Sequence, residues 1–413
     1  MYTIIIISLA LFVFSYWLTV RNCNNNRSYN LPALTNDTFL WIGKKITDFH
    51  RQLYPPSYIV LNEWGGFISS KVIYELTKLE IADIIKGHGG KMNICEIAKV
   101  TKTDEDKLNR LLRFATSKGI FQALDNGVYA NNNQSLVLSK DDPNTFRNLI
   151  LLYEEVSSAA KYLAYDLKLQ TDNKKEQMTA FAKAHNGVEL YEWLSLPENK
   201  ERLEMFNKGM VEQDNASGKG LYQDYDWSQY CNTKFVDIAG GIGGFLSQLL
   251  TCYPTMKGVL YELPSVIEMS EQSWSINHKQ LLDRVQFVQG DFFINPPPPA
   301  DVYFLRSILH NWPDEQAIKI LKTVRSAISL TNDSSSGHEM ATNFKPKLLL
   351  AERIINDQTQ SSKYQMDMIM MCMCDGKVRT KSEIEKLLEK SGWKFMKITS
   401  CRGEFSVIEA FPL

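Results

Sequence analysis

The stretch VDIAGGIGGFLSQLL, from Val236 to Leu250, decides the fold prediction. An apolar run typical of a buried strand leads past an acid into four glycines, and apolar residues then recur with helical spacing. Strand, glycine-rich turn and helix in this order are typical of a doubly wound α/β sheet, in which ligands bind at the carboxyl ends of the strands. The stretch therefore places a ligand at the turn but leaves its identity open.

Alternating strand and helix patterns continue to the C-terminus and support this fold. After Tyr230 the strand-like runs are KFVDIA, KGVLYEL, VQFVQGD, DVYFLRSI, KLLLAERII and FSVIEAF, with helical patterns between them. We therefore predict an α/β domain over residues 230–413 with a doubly wound, mostly parallel sheet. The prolines at 296–299 predict an exposed connection, and the polar stretch 331–346 predicts a long surface loop.

The glycines fit two common phosphate-binding turns poorly. A P-loop requires GxxxxGK[ST], and no lysine followed by Ser or Thr comes after these glycines. A dinucleotide turn requires GxGxxG; Gly241 and Gly243 fit the first half, but Leu246 stands at the third position. Asp237, just before the turn, would repel a pyrophosphate and attract a cation.

Two further acids end the next two strand-like runs. Glu262 lies 19 residues after Gly243, where a carboxylate can accept both hydroxyls of a ribose. Asp291 precedes Phe292, and an acid followed by an aromatic ring suits the edge and face of adenine. Acids at successive strand ends thus predict an adenosine-containing ligand with positive charge.

A histidine supplies the candidate reactive group. His310 follows the fourth strand-like run, and the segment from Trp312 to Glu315 then begins an amphipathic helix. His310 is therefore predicted to lie in a loop at the same edge of the sheet as the glycine turn. A side chain there would lie on the rim of the ligand site, which makes His310 the candidate reactive group.

These stretches resemble the class I S-adenosylmethionine-dependent O-methyltransferases, in the group with plant caffeic-acid and flavonoid enzymes and animal acetylserotonin (hydroxyindole) enzymes. The matching stretches are VDIAGGIGGF, YELPSVIE, VQGDFF, LRSILHNWPDEQAIKIL, GKVRTKSEIEKLLEKSGW, AFAKAHNGVELYEWL and FNKGM. The resemblance runs from about Trp41 to the C-terminus. It implies a Rossmann-like fold, S-adenosylmethionine as cofactor, and metal-free methyl transfer to a hydroxyl of a small, aromatic molecule.

The resemblance also implies roles for individual residues. With the acids above, the candidate cofactor-binding residues are Asp237, Gly240, Gly241, Gly243, Glu262, Asp291, Phe292 and Arg306, the last standing where the family usually has lysine. The candidate catalytic residues are His310 as general base, Glu352 to orient it, and Asp375. Asp375 is the candidate replacement for a second acid that the family carries in its GKxRT segment, where this chain has Val378.

The candidate substrate-binding residues are Phe206, Met210 and Asn311, while Gln213 stands where plant members often carry histidine. Three other functions stay open. They are N- or carboxyl methylation of a small molecule, cofactor binding without turnover, as Val378 suggests, and regulation of transcription by a winged helix.

The N-terminal half is predicted to be helical, with a winged-helix-like domain at 38–140 and a substrate-pocket region at 141–229. Thr103 is predicted to cap the second helix of the winged helix, and the turn at 125–127 predicts a hairpin. That helix begins with acids at 104–106, and the chain has a net charge of −1, so nucleic-acid binding is disfavoured. We expect a packing or dimerisation domain, and the resemblance implies a homodimer.

The N-terminus carries a possible membrane segment. Residues 3–20 form an apolar stretch of 18 residues, about the length of a short membrane span. No basic residue precedes it and no small-residue cleavage site follows it, whereas Arg21 and Arg27 come after it. We predict an anchor at 1–21, in the endoplasmic reticulum, with a polar tether at 22–37 and the catalytic domain in the cytosol. A cleaved signal peptide and a soluble, cytoplasmic protein are the alternatives.

The seven cysteines form no CxxC pair. Their scatter predicts reduced thiols rather than a disulfide framework or a zinc site.

Overall fold

The structure, a computed structural model, describes residues 33–166, 178–329, 345–356 and 361–413. The predicted anchor at 3–20, most of the predicted tether and all but the last two residues of the predicted loop at 331–346 lie outside the described residues. Within the described ranges, no helix is long and apolar enough to span a bilayer.

The N-terminal region is helical with a small sheet, as predicted. Its elements are α1 (Ala33–Gln52), α2 (Pro56–Trp64), α3 (Gly66–Lys78), α4 (Ile81–Gly87), β1 (Lys91–Asn93), α5 (Ile94–Thr101), α6 (Glu105–Ser117), β2 (Gln122–Leu124) and β3 (Val128–Ala130). Helix α1 begins inside the predicted tether at 22–37, so the proposed boundary after residue 37 falls within a helix.

Helices α5 and α6 with the strands β1, β3 and β2, paired in that order, form the predicted winged-helix-like unit. The hairpin turn is as predicted, because Asn126 and Gly127 adopt left-handed φ values of 60° and 72°. The predicted cap of α6 is wrong. Asp104 caps the helix by accepting from the Lys107 N–H at 2.9 Å, and the Thr103 hydroxyl contacts that of Thr101 instead. A carboxylate also complements the positive end of the helix dipole.

A second group of helices connects this unit to the C-terminal domain. They are α7 (Asn133–Leu136), α8 (Arg147–Leu151), α9 (Tyr153–Ala160), α10 (Leu163–Asp166), α11 (Ala180–Ala184), α12 (Leu190–Ser195), α13 (Lys200–Ser217) and α14 (Lys219–Asp224). Helix α13 packs closely on α8, because a Cβ at Gly209 would lie 3.2 Å from the Leu149 backbone. The buried Glu212 carboxylate accepts the N–H groups of Asn148 and Leu149. It thereby satisfies free donors at the start of α8.

The C-terminal domain is the predicted doubly wound α/β domain. Its elements are β4 (Lys234–Ile238), α15 (Gly244–Cys252), β5 (Lys257–Glu262), α16 (Pro264–Asn277), β6 (Val285–Gln289), β7 (Val302–Arg306), α17 (Asp314–Ser329), β8 (Lys347–Glu352), β9 (Ile354–Ile355), α18 (Ser361–Cys374), β10 (Arg379–Thr380), α19 (Lys381–Lys390), β11 (Trp393–Ser400) and β12 (Ser406–Pro412).

The main sheet has the order β11-β12-β8-β7-β4-β5-β6. Strands β4 to β8 pair in parallel, and β12 is antiparallel to both β8 and β11. All six strand-like runs form strands of this sheet, and β11 is an additional edge strand that the sequence analysis missed. Helices α17 and α19 cover one face, and α15 and α16 cover the other.

The run of prolines at 296–299 is irregular, as predicted, but it is not fully exposed, because Pro297 is buried. The Tyr261 hydroxyl donates to the Asn295 carbonyl at 2.6 Å, which holds the start of this connection against the sheet.

The order of the strands reverses between β4 and β7. The chain runs outward from β4 to β5 and β6, then returns to β7 on the other side of β4. In open α/β sheets such a switch point leaves a crevice at the carboxyl ends of the strands, where ligands bind. The last residues of β4 and β7 therefore lie side by side at the candidate site, with Ile238 paired to Leu305.

Candidate active site

The glycine turn after β4 has a backbone that needs its glycines. Gly241 and Gly243 have φ values of 60° and 80°, in the left-handed region. A Cβ at Gly243 would lie 2.9 Å from the indole nitrogen of Trp274, which itself donates to the Ile242 carbonyl at 2.8 Å. The turn is therefore held against α16 and cannot accept a larger residue at Gly243 without a shift.

Asp237 lies directly beneath this turn. It is 1% exposed, and a Cβ at Gly240 would come within 2.4 Å of its Oδ2 atom. Among the described residues, Oδ2 has no hydrogen-bond partner. Burial raises the pKa of Asp237 to about 7, with Arg306 opposing the shift and Glu262 and Asp214 adding to it. A buried carboxylate in this state is stabilised by a cation that approaches it.

The next two acids lie at the same edge of the sheet. The Glu262 carboxylate accepts the Gly241 N–H at 3.1 Å and the Leu263 N–H at 2.8 Å, and burial raises its pKa. Glu262 therefore shapes the glycine turn as well as facing the crevice. The Asp291 carboxylate accepts the Phe293 N–H at 2.8 Å. Phe292, the next residue in the chain, is half-buried.

Arg306 ends β7 at the switch point. Its guanidinium lies 5.2 Å from the ring centre of Phe245 in the first turn of α15, and it forms an ion pair with Asp214 of α13. Burial lowers its pKa, but the negative groups around it, above all Asp214, outweigh burial and raise the pKa above the usual range. The sequence analysis did not single out Asp214.

His310 and Glu352 meet across β7 and β8. His310 lies in a single 3-10 turn, Leu309–Asn311, and is 7% exposed. Its Nδ1 lies 2.8 Å from Oε2 of Glu352. The other oxygen of Glu352 accepts the N–H groups of Ile308 at 3.1 Å and Leu309 at 2.8 Å. Burial opposes ionisation of Glu352, but His310 and these donors hold its pKa below the usual range.

This arrangement fixes the tautomer of the histidine. An ionised carboxylate only accepts hydrogen bonds, so Nδ1 of His310 carries the proton and donates a hydrogen bond to Glu352. The lone pair of Nε2 is then free to accept a proton from a substrate.

The structure does not bring Asp375 to His310. In the described chain, the Asp375 carboxylate forms no hydrogen bond or ion pair with the imidazole. Asp375 follows the end of α18 with a left-handed φ of 53°, and Gly376 and Lys377 face the His310 segment instead. The Lys377 N–H donates to the His310 carbonyl at 2.8 Å. The predicted replacement of the second acid is therefore not supported, and Val378 itself is buried.

Arg379 holds the loop of His310 in place, and the sequence analysis missed it. It is 2% exposed and donates to the carbonyls of Leu309 and Trp312, at 2.7 Å each. Its Nε donates to the Asp314 carboxylate at 2.9 Å. The only signal was its place in the GKVRT stretch, three residues after Gly376. These bonds fix both ends of the turn that carries the histidine.

The candidate substrate residues lie on α13 and beside the His310 turn. Phe206 packs on the cluster around Met373 of α18, and Met210, one turn later, is 36% exposed. The Asn311 side-chain amide donates to the Ser307 carbonyl at 3.1 Å, so it also supports the turn.

Two aromatic residues that were not predicted to bind substrate lie next to the His310 turn. Tyr191 stacks on Trp312, which follows Asn311, with ring centres 6.0 Å apart. Trp312 in turn lies edge-on to Phe293 at 4.7 Å, next to the predicted adenine residue Phe292.

These residues fit the cofactor that the resemblance implies. The open glycine turn lets the backbone approach a ligand, and the unpartnered, buried oxygen of Asp237 matches a positively charged group. Glu262 and Asp291 add carboxylates at the same edge of the sheet, and the resemblance would use them for the ribose and the adenine. No group of His, Cys, Asp or Glu in the described part of the chain is arranged to bind a metal ion.

Comparison with known proteins agrees with this geometry. Residues 165–394, more than half of the chain, match the family model described as the O-methyltransferase domain. Residues 62–141 match the O-methyltransferase dimerisation domain. The winged-helix-like region is thus a dimerisation domain of this family, as predicted.

The individual relatives are methyltransferases as well. The O-methyltransferase hasC of Aspergillus fumigatus is 28% identical, over 85% of this chain and 77% of its own length. The 8-amino-8-demethylriboflavin N,N-dimethyltransferase of Streptomyces davaonensis is 26% identical, over 82% of this chain and 90% of its own. The solved structure of mitomycin 7-O-methyltransferase MmcR superposes with a TM-score of 0.72 and 25% identity, covering 86% of this chain and 98% of that one.

Proposed function

The chain belongs to the family of S-adenosylmethionine-dependent O-methyltransferases, and from that premise we propose that it methylates a phenolic hydroxyl of a small molecule with His310 as general base. The observation that carries this proposal is the bond between His310 Nδ1 and Glu352 Oε2, 2.8 Å long, at the sheet edge that also carries the glycine turn.

The need for a base follows from ordinary acidities. A phenol has a pKa of about 10 and histidine one of about 6.5, so little phenolate is present near pH 7. A positioned imidazole that removes the proton as the oxygen reacts accelerates such a step by roughly 10²–10⁴-fold. Glu352 supports this role by fixing the tautomer of His310 and by stabilising the imidazolium that forms.

The cofactor would be held by the residues at the other strand ends. S-adenosylmethionine, when bound, supplies an electrophilic methyl group on a sulfonium. The chain offers the buried Asp237 carboxylate to its positive charge, and Glu262 and Asp291 to its adenosine. At Gly241 a Cβ would meet nothing within 4 Å, so the backbone there is open to a ligand, whereas side chains at Gly240 and Gly243 would collide with Asp237 and Trp274.

The acceptor would be an aromatic and largely uncharged molecule. The residues that would contact it are Phe206 and Met210 on α13 and the stacked pair of Tyr191 and Trp312. Aromatic side chains favour stacking with a flat ring. Gln213, where plant members often carry histidine, sets this pocket apart from theirs.

The test is methyl transfer from labelled S-adenosylmethionine to a panel of phenols, naphthols and hydroxyquinones, resolved by mass spectrometry. The proposal expects at least one acceptor to gain one methyl group. A protein that binds the cofactor but labels none of the panel, while labelling amines, contradicts it.

N-methylation is the second candidate, because one relative, matched over 90% of its own length, is an N,N-dimethyltransferase. A neutral amine carries its own lone pair and needs no base before it reacts. His310→Ala would then retain most of its activity, whereas a phenol methyltransferase would lose it.

We further propose that the apolar segment at 3–20 anchors the protein in the membrane of the endoplasmic reticulum with its catalytic domain in the cytosol. The support is the apolar stretch of 18 residues and the arginines that follow it. Carbonate-washed membranes should retain the full chain and release a version that begins at Asn30. Release of both versions would contradict the membrane anchor and support the cytoplasmic alternative.

A further inference from the structure

Four charged side chains from four elements converge behind the glycine turn. They are Asp214 of α13, Asp237 of β4, Glu262 of β5 and Arg306 of β7, and the other three act on the ionisation of Asp237. Tyr222 of α14 also interacts electrostatically with Asp237 and Arg306. The cluster holds three carboxyl groups and one guanidinium, so the carboxyl groups compete for the single strong cation.

Arg306 is engaged by Asp214 rather than by Asp237. The ion pair of Arg306 in the described chain is with Asp214, whereas Asp237 has no ion pair and its Oδ2 atom has no hydrogen-bond partner. The proposed function uses Asp237 but gives Asp214 no role.

Asp214 is directed to Arg306 by its place on α13. It follows Phe206 and Met210 at intervals of four residues, so the three side chains share one face of the helix. Gly218 leaves room for it, because a Cβ there would lie 2.5 Å from the Asp214 carboxylate. The face of α13 that would line the acceptor pocket thus ends at Asp214. The Asp214 carboxylate pairs with Arg306 of β7, which lies four residues before His310.

We propose that Asp214 is a positioning residue that keeps the Arg306 guanidinium off Asp237, so that the Asp237 carboxylate stays open to the positive end of S-adenosylmethionine. This inference rests on the proposed function. If Arg306 turned to Asp237, the two would form a buried ion pair inside the cofactor site. The cofactor would then have to displace a desolvated partner, which weakens binding.

The same contact has an effect on the pH dependence of binding. Asp214 raises the pKa of Asp237, and Arg306 lowers it. Without the Asp214 charge, the pKa of Asp237 is no longer raised by Asp214. If the Arg306 guanidinium also turns toward Asp237, it lowers that pKa further, so Asp237 would ionise at lower pH. A purely structural role of Asp214 would not move this midpoint.

The experiment is titration calorimetry of the full chain with S-adenosylmethionine and with S-adenosylhomocysteine. It covers roughly pH 5.5 to 8.5, on both sides of the Asp237 titration at about 7. We expect Asp214→Asn to weaken both affinities about tenfold, which is about 1.4 kcal/mol, and to shift the midpoint of their pH dependence downward. Asp214→Glu should recover most of the affinity.

The matched control is Asp224→Asn. Asp224 forms a comparable, largely buried pair with Arg402, with side chains 10% and 11% exposed, but it does not act on Asp237. This variant should keep both affinities and the pH midpoint at the wild-type values.

The outcomes separate the two proposals. A wild-type protein that binds neither compound contradicts the proposed function itself. A wild-type protein that binds, with an Asp214→Asn variant of equal affinity and equal midpoint, overturns the role of Asp214. If Asp214→Asn does not fold, Gly218→Ala keeps the charge and displaces the carboxylate. Wild-type affinity and midpoint in that variant would overturn the role as well.

Discussion

His310, in the turn that follows β7, and Glu352, the last residue of β8, lie side by side, with Nδ1 of the imidazole 2.8 Å from Oε2 of the carboxylate. The same carboxylate accepts the N–H groups of Ile308 and Leu309. One buried acid therefore sets both the tautomer of the histidine and the backbone of the turn that carries it.

Removal of the negative charge of Glu352 should slow methyl transfer without weakening cofactor binding. In Glu352→Gln the side chain no longer stabilises the imidazolium, and we expect kcat to fall about 10²-fold. Steady-state kinetics with a phenolic acceptor measures the loss, and calorimetry with S-adenosylhomocysteine measures the binding. A variant with unchanged kcat would show that Glu352 only supports the fold.

Cofactor binding should depend on the ionisation of Asp237. Because burial raises the pKa of Asp237 to about 7, the free site is partly protonated near neutrality. A cation binds better to the ionised form, so the affinity for S-adenosylmethionine should rise as the pH increases through about 7. Asp237→Asn should bind more weakly above that pH and lose this dependence; a variant that keeps the wild-type slope would exclude Asp237 as its source.

The same shift affects the stability of the free protein. Between the ordinary value of 3.8 and about 7, the folded state holds a proton that the unfolded state has released. The contribution of Asp237 to stability is therefore lost as the pH rises through this window. Urea unfolding of Asp237→Asn should show a flatter dependence on pH than the wild type does.

Arg379 should matter for catalysis through the loop of His310. Arg379→Lys keeps the charge but loses the fork that reaches the Leu309 and Trp312 carbonyls. We expect kcat to fall about tenfold or more, because small displacements of a reacting group are costly, while cofactor affinity stays unchanged. Asp314→Asn is the control, since that partner is 53% exposed and its loss should have little effect. Equal losses of kcat and cofactor affinity in Arg379→Lys would indicate general destabilisation instead.

Dimerisation should depend on α2. This helix has no buried residue, and its Leu61 and Trp64 side chains are 61% and 68% exposed. We expect another surface to cover a helix with such exposed apolar side chains. The match to the family's dimerisation domain, residues 62–141, includes the end of this helix. Light scattering should report a dimer for the wild type and a monomer for Leu61→Glu. Val100→Glu, at an exposed apolar residue of α5, should stay dimeric; a dimeric Leu61→Glu would place the interface elsewhere.

The sequence predicted the elements whose signals are local. The glycine turn, the six strand-like runs and the acids at their ends are each encoded within about ten residues, and the structure has them at one edge of one sheet. Strand β11 was missed because it is an edge strand with exposed Lys394 and Lys397, so it lacks the apolar run of a central strand.

The contacts that were missed join residues far apart in the chain. Asp214 and Arg306 are 92 residues apart, and Arg379 reaches the Leu309 carbonyl from 70 residues away. No local pattern encodes such pairs. The role of Asp375 stays a prediction, because the structure shows the backbone of Gly376 and Lys377, rather than the Asp375 carboxylate, in contact with His310.

The most direct test of the account is kcat for a phenolic acceptor in His310→Ala, with S-adenosylhomocysteine affinity measured on the same preparation. The account predicts a fall in kcat of roughly 10²–10⁴-fold with unchanged affinity for the cofactor product. A variant that methylates the phenol at close to the wild-type rate would contradict the assignment of His310 as the general base.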